Sequence, residues 1–165
     1  MEVELRDVER ADLSLLDQWL SQAHVRPWFG DKPAVLNWAQ CPPPAGSQAM
    51  ICRNVTDVGY IRWQSIDRHT LDSLGFTHIP DNSVDVDILL GRPSECARGT
   101  GPTALRQLAA MLQETGAVPL IALTTSVDNF HAQRAFLKAG FVMDRQYTAD
   151  GFGDCYLYTR RLLQH

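Results

Sequence analysis

Residues 97–112 read ARGTGPTALRQLAAML, a basic, glycine-broken segment that runs directly into an amphipathic helix pattern. The first turn of a helix leaves about four backbone N–H groups without helical partners, and the helix dipole adds partial positive charge there. Gly99 and Gly101 carry no Cβ that would keep an anion from those donors. Pro102 suits a first turn, and the forked donors of Arg98 match phosphate oxygens. The segment therefore predicts a phosphate cradle, with a plain tight loop as the alternative.

Two common phosphate-binding motifs do not fit this segment. A Walker loop needs Gly-Lys followed by Ser or Thr, and the segment has no such triplet. The dinucleotide fingerprint GxGxxG needs a third glycine, which does not follow Gly99 and Gly101 at the required spacing. We therefore expect the phosphates of a different ligand.

The hydrophobic pattern around the segment predicts a mixed α/β sheet. Before it, Val84, Val86 and Ile88 alternate with Asp85 and Asp87, which is typical of a strand with one buried face. The long stretch at 67–82 is predicted to be surface loop, and prolines and a glycine break any helix across 24–33. The predicted elements in chain order are a strand at 2–8, helices at 11–23 and 34–39, a hairpin at 48–54 and 58–66, a strand at 83–91, the helix of the quoted segment, a buried strand at 118–127, a helix at 129–140 and a hairpin at 141–149 and 154–162.

Composition places the chain among ordinary globular proteins. It has 165 residues, 45% hydrophobic and 21% charged, which suits a single domain over 1–165. The net charge is −4 and no Lys/Arg run occurs, so we expect no nucleic-acid partner. The charged N-terminus is unlike a signal peptide, and no apolar run is long enough to span a membrane. The four cysteines match neither a zinc site nor a disulfide framework, so we expect reduced thiols, no metal and a cytoplasmic location; they are Cys41, Cys52, Cys96 and Cys155.

The quoted segment resembles motif A of the GNAT-type N-acetyltransferases, Q/R-x-x-G-x-G/A. Here the motif reads CARGTG at 96–101, so Cys96 departs from the Gln or Arg of the family. Downstream, NFHAQRAFLKAGF at 129–141 resembles the family's N-x-x-A-x-x-x-Y-x-K-x-G-F, with Phe136 in place of the tyrosine. The resemblance implies the GNAT fold, a mixed central sheet of about seven strands in which the fourth and fifth strands splay apart, with flanking helices. Within the family, HVRPWFG at 24–30 and an acid on the strand before motif A are most similar to aminoglycoside 6'-N-acetyltransferases and their siderophore-type relatives.

The resemblance also implies acetyl-CoA as co-substrate and an amine as acetyl acceptor. The pyrophosphate is expected on backbone amides from Arg98 to Thr103, and the pantetheine arm between the splayed strands, where amides near Leu89 and Leu90 polarise the thioester. Asn129 is expected either to contact the arm or to act as a plain N-cap of its helix. The cofactor contacts expected in full are Leu89, Leu90, Arg98, Gly99, Thr100, Gly101, Pro102, Thr103, Asn129 and Phe136.

The acceptor side needs a carboxylate. An alkylammonium with a pKa of about 10.4 must lose a proton before it attacks, and a neighbouring carboxylate can hold the cation and accept that proton. Asp87 matches the family's acid and is the expected catalytic residue, with Asp85 on the same side; solvated strand carboxylates are the alternative reading. Trp28 is expected to line the acceptor site or to lie in the core. The expected acceptor contacts are Trp28, Asp85, Asp87 and Thr124.

The identity of the acceptor stays open at this stage. The aminoglycoside enzymes are expected to carry one more acid at the end of the fifth strand, where this chain has Thr124 and Thr125. Phe136 cannot donate a proton to the leaving thiolate. We expect a small-molecule primary amine, including the 6'-amino group of an aminoglycoside. A protein N-terminus, a lysine, a siderophore precursor and a non-catalytic acyl-CoA-binding role are the alternatives, in a monomer or a homodimer.

Overall fold

The computed structural model describes residues 2–163. The strands are β1 (Val3–Arg6), β2 (Gly46–Arg53), β3 (Thr56–Ser65), β4 (Val84–Leu90), β5 (Leu120–Ser126), β6 (Val142–Ala149) and β7 (Gly153–Arg161). The helices are α1 (Asp12–Leu20), α2 (Arg26–Phe29), α3 (Lys32–Gln40), α4 (Arg68–Ser73), α5 (Thr100–Thr115) and α6 (Phe130–Lys138). The strands form one seven-stranded sheet in the order β1-β2-β3-β4-β5-β7-β6. The predicted mixed sheet with flanking helices is confirmed.

The strands β4 and β5 are parallel and paired over a short length. Their register joins only Val84 to Ile121 and Asp85 to Ala122. Beyond Asp85 the two strands have no shared ladder, so they separate towards their carboxyl ends. This opening confirms the predicted splay. The helix α5 connects the two strands, and its start lies near the end of β4, because a Cβ on Gly101 would be 3.9 Å from the side chain of Leu90.

The two faces of the sheet bury different clusters. One face packs against α5 and α6, and its buried residues include Val84, Val86, Leu108, Ile121 and Leu123. On the opposite face, α1 and α3 cover β2 to β4 through a second cluster that includes Leu16, Trp19, Met50, Tyr60 and Leu89. Because side chains alternate along a strand, Asp85 and Asp87 share the face of Leu89.

The segment 67–82 differs from the predicted surface loop. It contains α4, whose N-cap Asp67 accepts a hydrogen bond from the amide of Thr70 at 2.8 Å. Leu71, Phe76 and Ile79 are buried against β5 and β7 in a third cluster. Their spacing follows neither a strand nor a helix period, so a pattern search does not detect them. No continuous helix crosses 24–33, as predicted, but the segment contains one short helix, α2, with Pro27 near its start.

Among the described residues, no helix combines the length and the apolar character needed to cross a membrane.

Candidate active site

The start of α5 has the geometry expected of an anion cradle. Gly99 is the N-cap residue with φ of 79°, in the left-handed region that favours glycine. The first hydrogen bond of the helix runs from the amide of Thr103 to the carbonyl of Gly99 at 3.1 Å. Gly101 lies before Thr103 in the first turn, where backbone amides have no partner within the helix. A Cβ at Gly101 would come no closer than 3.9 Å to the side chain of Leu90. Packing therefore does not demand glycine at 101, and its absent side chain leaves the approach to the start of the helix open.

A buried ion pair fixes the loop that leads into the cradle. Glu95, only 5% exposed, accepts hydrogen bonds from Arg53 of β2 at 2.8 and 2.6 Å. The hydroxyl of Thr100 donates to the same carboxylate at 3.3 Å. The hydrogen bonds from Arg53 lower the pKa of Glu95 against the opposing effect of burial. Sequence reasoning missed this pair, since its partners lie on separate elements and carry no local signal.

The strand β4 turns only one of its two expected amides towards the splay. The amide of Gly91 donates to the carbonyl of Val58 at 2.8 Å, and hydrogen bonding alternates along an antiparallel pair. The amide of Leu89 therefore faces β3, while that of Leu90 faces the opening towards β5. Nε2 of His24 lies 2.8 Å from the carbonyl of Leu90, which faces the same way. This corrects the expectation for Leu89, whose side chain is also buried beneath α1.

A cleft of about 450 Å³ lies at this carboxyl end of the sheet, between α2 and the start of α6. His24, Pro27 and Trp28 line one side, while Asn129 and Phe130 line the other. Trp28 is 40% exposed, so it belongs to the cleft wall and not to the core.

The two expected contacts on α6 have structural partners of their own. Oδ1 of Asn129 accepts from the amide of Ala132 at 3.2 Å, which makes it the N-cap of the helix. Phe136 is 4% exposed and packs against Phe141 and Tyr158, with ring centroids 6.4 and 5.5 Å away. Its place in the main core leaves at most a ring edge for a ligand.

Two carboxylates and a cation share the face of β3 and β4 that the α1 and α3 helices leave partly uncovered. Nε of Arg62 donates to Oδ2 of Asp87 at 3.0 Å, and the register places these residues opposite each other. The guanidinium also lies 5.0 Å from the ring centroid of Trp38. The side chain of Asp87 is 45% exposed, so it remains open to a ligand. Arg62 and Trp38 were not among the predicted site residues.

Asp85 lies two residues earlier on the same face, opposite Gln64 of β3. Burial and the negative charge of Asp87 together raise the pKa of Asp85 to about 7, while the positive charge of Arg62 opposes both effects. Asp85 is only partly exposed, whereas the alternative reading expected a fully solvated carboxylate.

Thr124 extends this face across the splay onto β5. Its hydroxyl lies 2.8 Å from the hydroxyl of Tyr147, whose ring stacks edge-on against Phe76 at 5.0 Å. Burial raises the pKa of Tyr147, so the phenol is neutral around pH 7. A pair of neutral hydroxyls therefore stands near the end of β5, where the family resemblance implied another acid. Within residues 2–163, no cluster of His, Cys, Asp and Glu has an arrangement that could hold a metal ion.

The fold resembles several solved acetyltransferases. The aminoglycoside acetyltransferase AAC(6')-Ib in complex with acetyl-CoA has a TM-score of 0.81 at 22% identity, covering 98% of this chain and 94% of that one. The same enzyme with coenzyme A and kanamycin has a TM-score of 0.80 at 22% identity, covering 97% and 95%. An aminoglycoside N(6')-acetyltransferase from Legionella pneumophila subsp. pneumophila str. Philadelphia 1 has a TM-score of 0.76 at 15% identity, covering 98% and 94%.

No curated protein sequence is significantly similar to this chain. The family model for the acetyltransferase (GNAT) domain, in contrast, matches residues 8–149, which is most of the chain. The match contains the splayed strands, the glycine cradle and the carboxylates. The chain therefore belongs to the GNAT family of N-acetyltransferases.

Proposed function

We propose that this enzyme transfers the acetyl group of acetyl-CoA to a primary amine of a small molecule. One observation carries the proposal: Asp85 and Asp87 lie on β4 where it separates from β5, and the start of α5 at Gly101 lies against Leu90 at the end of the same strand. A phosphate-bearing donor entering from the cradle and a cationic acceptor held by the carboxylates would meet there.

The cofactor is proposed to lie along this opening. Its pyrophosphate lies at the start of α5 on the amides of Gly99 and Gly101, and the side chain of Arg98 adds a charged donor. The expected amides of Arg98 and Thr103 are not used, because they donate to carbonyls within the chain, and Pro102 has no N–H. Its pantetheine arm fills the gap between the strands, where the inward-facing amide of Leu90 hydrogen-bonds the arm or the thioester carbonyl. Asn129 caps α6 through Oδ1 and keeps its side-chain NH₂ group as a donor for the arm.

The reaction then proceeds by direct attack. The acceptor ammonium binds beside the carboxylates and loses one proton, and the neutral nitrogen attacks the thioester carbon. A C–N bond forms, the C–S bond breaks, the coenzyme leaves as a thiolate, and the nitrogen loses its second proton to water. A thiol pKa of about 8.5 makes the thiolate a tolerable leaving group. Phe136 has no proton to give it, so water is the proposed source.

An aminoglycoside 6'-amino group is the first acceptor to test, and antibiotic resistance would be its consequence. The fold likeness to kanamycin-bound AAC(6')-Ib supports that choice. Two features weigh against a polycation: the Arg62 guanidinium occupies the carboxylate face, and neutral Thr124 and Tyr147 stand across the gap. We therefore propose the broader class, a small-molecule amine.

We propose that residues 1–165 act as one GNAT domain, which the single sheet from Val3 to Arg161 supports. A cytoplasmic location and a monomeric or homodimeric state remain predictions.

The test is a transfer assay with purified protein and acetyl-CoA. Kanamycin, ribostamycin, benzylamine and a lysine-containing peptide serve as separate acceptors, and free thiol release is followed together with the product mass. We expect a small-molecule amine to gain one acetyl group. Transfer to the peptide alone, or to none of the acceptors, would contradict the proposal.

A further inference from the structure

The guanidinium of Arg62 has hydrogen-bond donors that the protein leaves unused. Its Nε donates to Oδ2 of Asp87, and its central carbon lies 5.0 Å from the ring centroid of Trp38. Within residues 2–163, its terminal nitrogens Nη1 and Nη2 form no hydrogen bond or ion pair. A guanidinium donates in its own plane, so a ring against its face does not occupy those N–H groups. The side chain is 20% exposed, which leaves the terminal nitrogens within reach of a ligand.

The acceptor atoms beside this cation are also incompletely used. Oδ1 of Asp87 has no hydrogen-bond partner among the described residues, and the side chain is 45% exposed. Asp85 lies on the same face, opposite Gln64 of β3, and neither side chain is hydrogen-bonded within 2–163. The sheet therefore presents unused cationic donors and unused carboxylate oxygens side by side.

The other side of the gap adds no charge. Ala122 of β5 pairs with Asp85, so Thr124, two residues later, shares that face and lies across the gap from Asp87. The hydroxyls of Thr124 and Tyr147 lie 2.8 Å apart and bond to each other. This pair gives a second ammonium group no carboxylate to bind.

We infer that the acceptor is a free amino acid, an amine that carries its own carboxylate. This inference rests on the proposed function. The ligand carboxylate binds the terminal nitrogens of Arg62, and the ligand ammonium lies beside Oδ1 of Asp87. Arginine commonly binds carboxylates through two parallel hydrogen bonds, which suits its unused edge. The charges of the ligand then alternate with those of Arg62 and Asp87, so each charge has opposite charges as neighbours.

The same arrangement disfavours amines that lack a carboxylate. An amino acid amide or a peptide N-terminus has the ammonium group, but it leaves the guanidinium unpaired and sets a second cation beside it. Benzylamine meets the same positive charge, so it should react more slowly than an amino acid. The reaction itself is the transfer described above, and its product is an N-acetyl amino acid.

The test compares free amino acids with their amides, which carry the same amine without the carboxylate. Thiol release from acetyl-CoA is measured with each common amino acid, and the best one is compared with its amide and with benzylamine. We expect kcat/KM for the amino acid to exceed that for its amide at least about tenfold, the scale of a charged hydrogen bond. Arg62→Gln should abolish this preference by raising the KM for the amino acid. Arg10→Gln removes an exposed arginine before α1 and should keep the preference.

Equal or faster transfer to the amide or to benzylamine would overturn the inference and leave the proposed function standing. Thermal unfolding in the presence of coenzyme A, with each amino acid or its amide added, needs no turnover. Stabilisation by an amino acid that is absent with its amide and in Arg62→Gln supports the inference, and no stabilisation by any amino acid overturns it. Absence of turnover with every amine would contradict the proposed function, and the unfolding measurement would still decide the class of ligand.

Discussion

Nε of Arg62 lies 3.0 Å from Oδ2 of Asp87, and the two residues face each other across β3 and β4. The guanidinium is further held against Trp38. A fixed cation therefore sits beside the carboxylates that are proposed to receive a cationic amine. An incoming ammonium has to share Asp87 with Arg62, which reduces the attraction of this face for polycations.

We predict that Arg62→Gln improves the binding of polycationic acceptors. Loss of the competing charge should lower the KM for kanamycin roughly fivefold, which corresponds to a gain of about 1 kcal/mol in binding free energy. The measurement is initial rate against kanamycin concentration. Arg62→Lys keeps the charge and serves as the control, with a KM close to that of the wild type. A higher KM in Arg62→Gln would show that Arg62 assists the acceptor.

Glu95 should matter for both stability and cofactor binding. Glu95→Gln removes the charge that pairs with Arg53 and weakens the anchor that holds the loop before the α5 cradle against β2. We expect a lower midpoint in urea unfolding and about tenfold weaker acetyl-CoA binding, or 1.4 kcal/mol. Glu114→Gln should leave both quantities unchanged. If the Glu95→Gln variant is less stable but binds acetyl-CoA with full affinity, the ion pair stabilises the fold without supporting cofactor binding.

The Asp85 carboxyl should make the protein less stable at alkaline pH. The folded pKa of about 7 lies above the ordinary value of 3.8, so the folded state binds the proton more tightly than the unfolded state. The favourable contribution of this proton is complete below pH 4 and is lost as the pH rises through 7. Asp85→Asn stays neutral and should exceed the wild type in stability at pH 8, by on the order of 1–3 kcal/mol.

Urea unfolding of the wild type and Asp85→Asn at pH 5 and pH 8 checks this prediction. The stability difference between the two proteins should grow with pH. An equal difference at both values would mean that Asp85 titrates near its ordinary pKa in the folded protein.

The ion pairs that hold the N-terminal strand β1 are expected to contribute less to stability in acid. Arg6 of β1 donates to Asp12 at 2.7 Å and to Asp57 at 2.9 Å. These hydrogen bonds lower the pKa of both carboxyls below 3.8. The stabilisation is therefore complete above pH 4 and is lost as the pH falls through the lowered folded values. Arg6→Gln should show a smaller loss of stability between pH 5 and pH 2 than the wild type, measured by thermal unfolding; parallel curves would contradict this.

The sequence predicted those features of the fold that depend on residues close together in the chain. The glycines before α5, the Val/Ile and Asp alternation of β4 and the apolar run of β5 each specify their own element. Contacts between residues far apart in the chain could not be predicted from such local patterns. Arg62 meets Asp87 across 25 positions, and Tyr147 meets Thr124 across 23. The irregular apolar spacing at 67–82 likewise became recognisable only once β5 and β7 were in place to bury it.

Calorimetric titration of the protein with acetyl-CoA tests the central claim most directly. Gly99→Glu puts a negative side chain at the cradle, and Gly116→Glu makes the same change at the other end of α5, where φ is also positive at 69°. The two variants share the backbone strain and differ only in location. We predict micromolar binding, about 8 kcal/mol, by the wild type and Gly116→Glu, and loss of binding in Gly99→Glu. No binding by a folded wild-type protein, or equal binding by both variants, would contradict the assignment of the cradle to the cofactor.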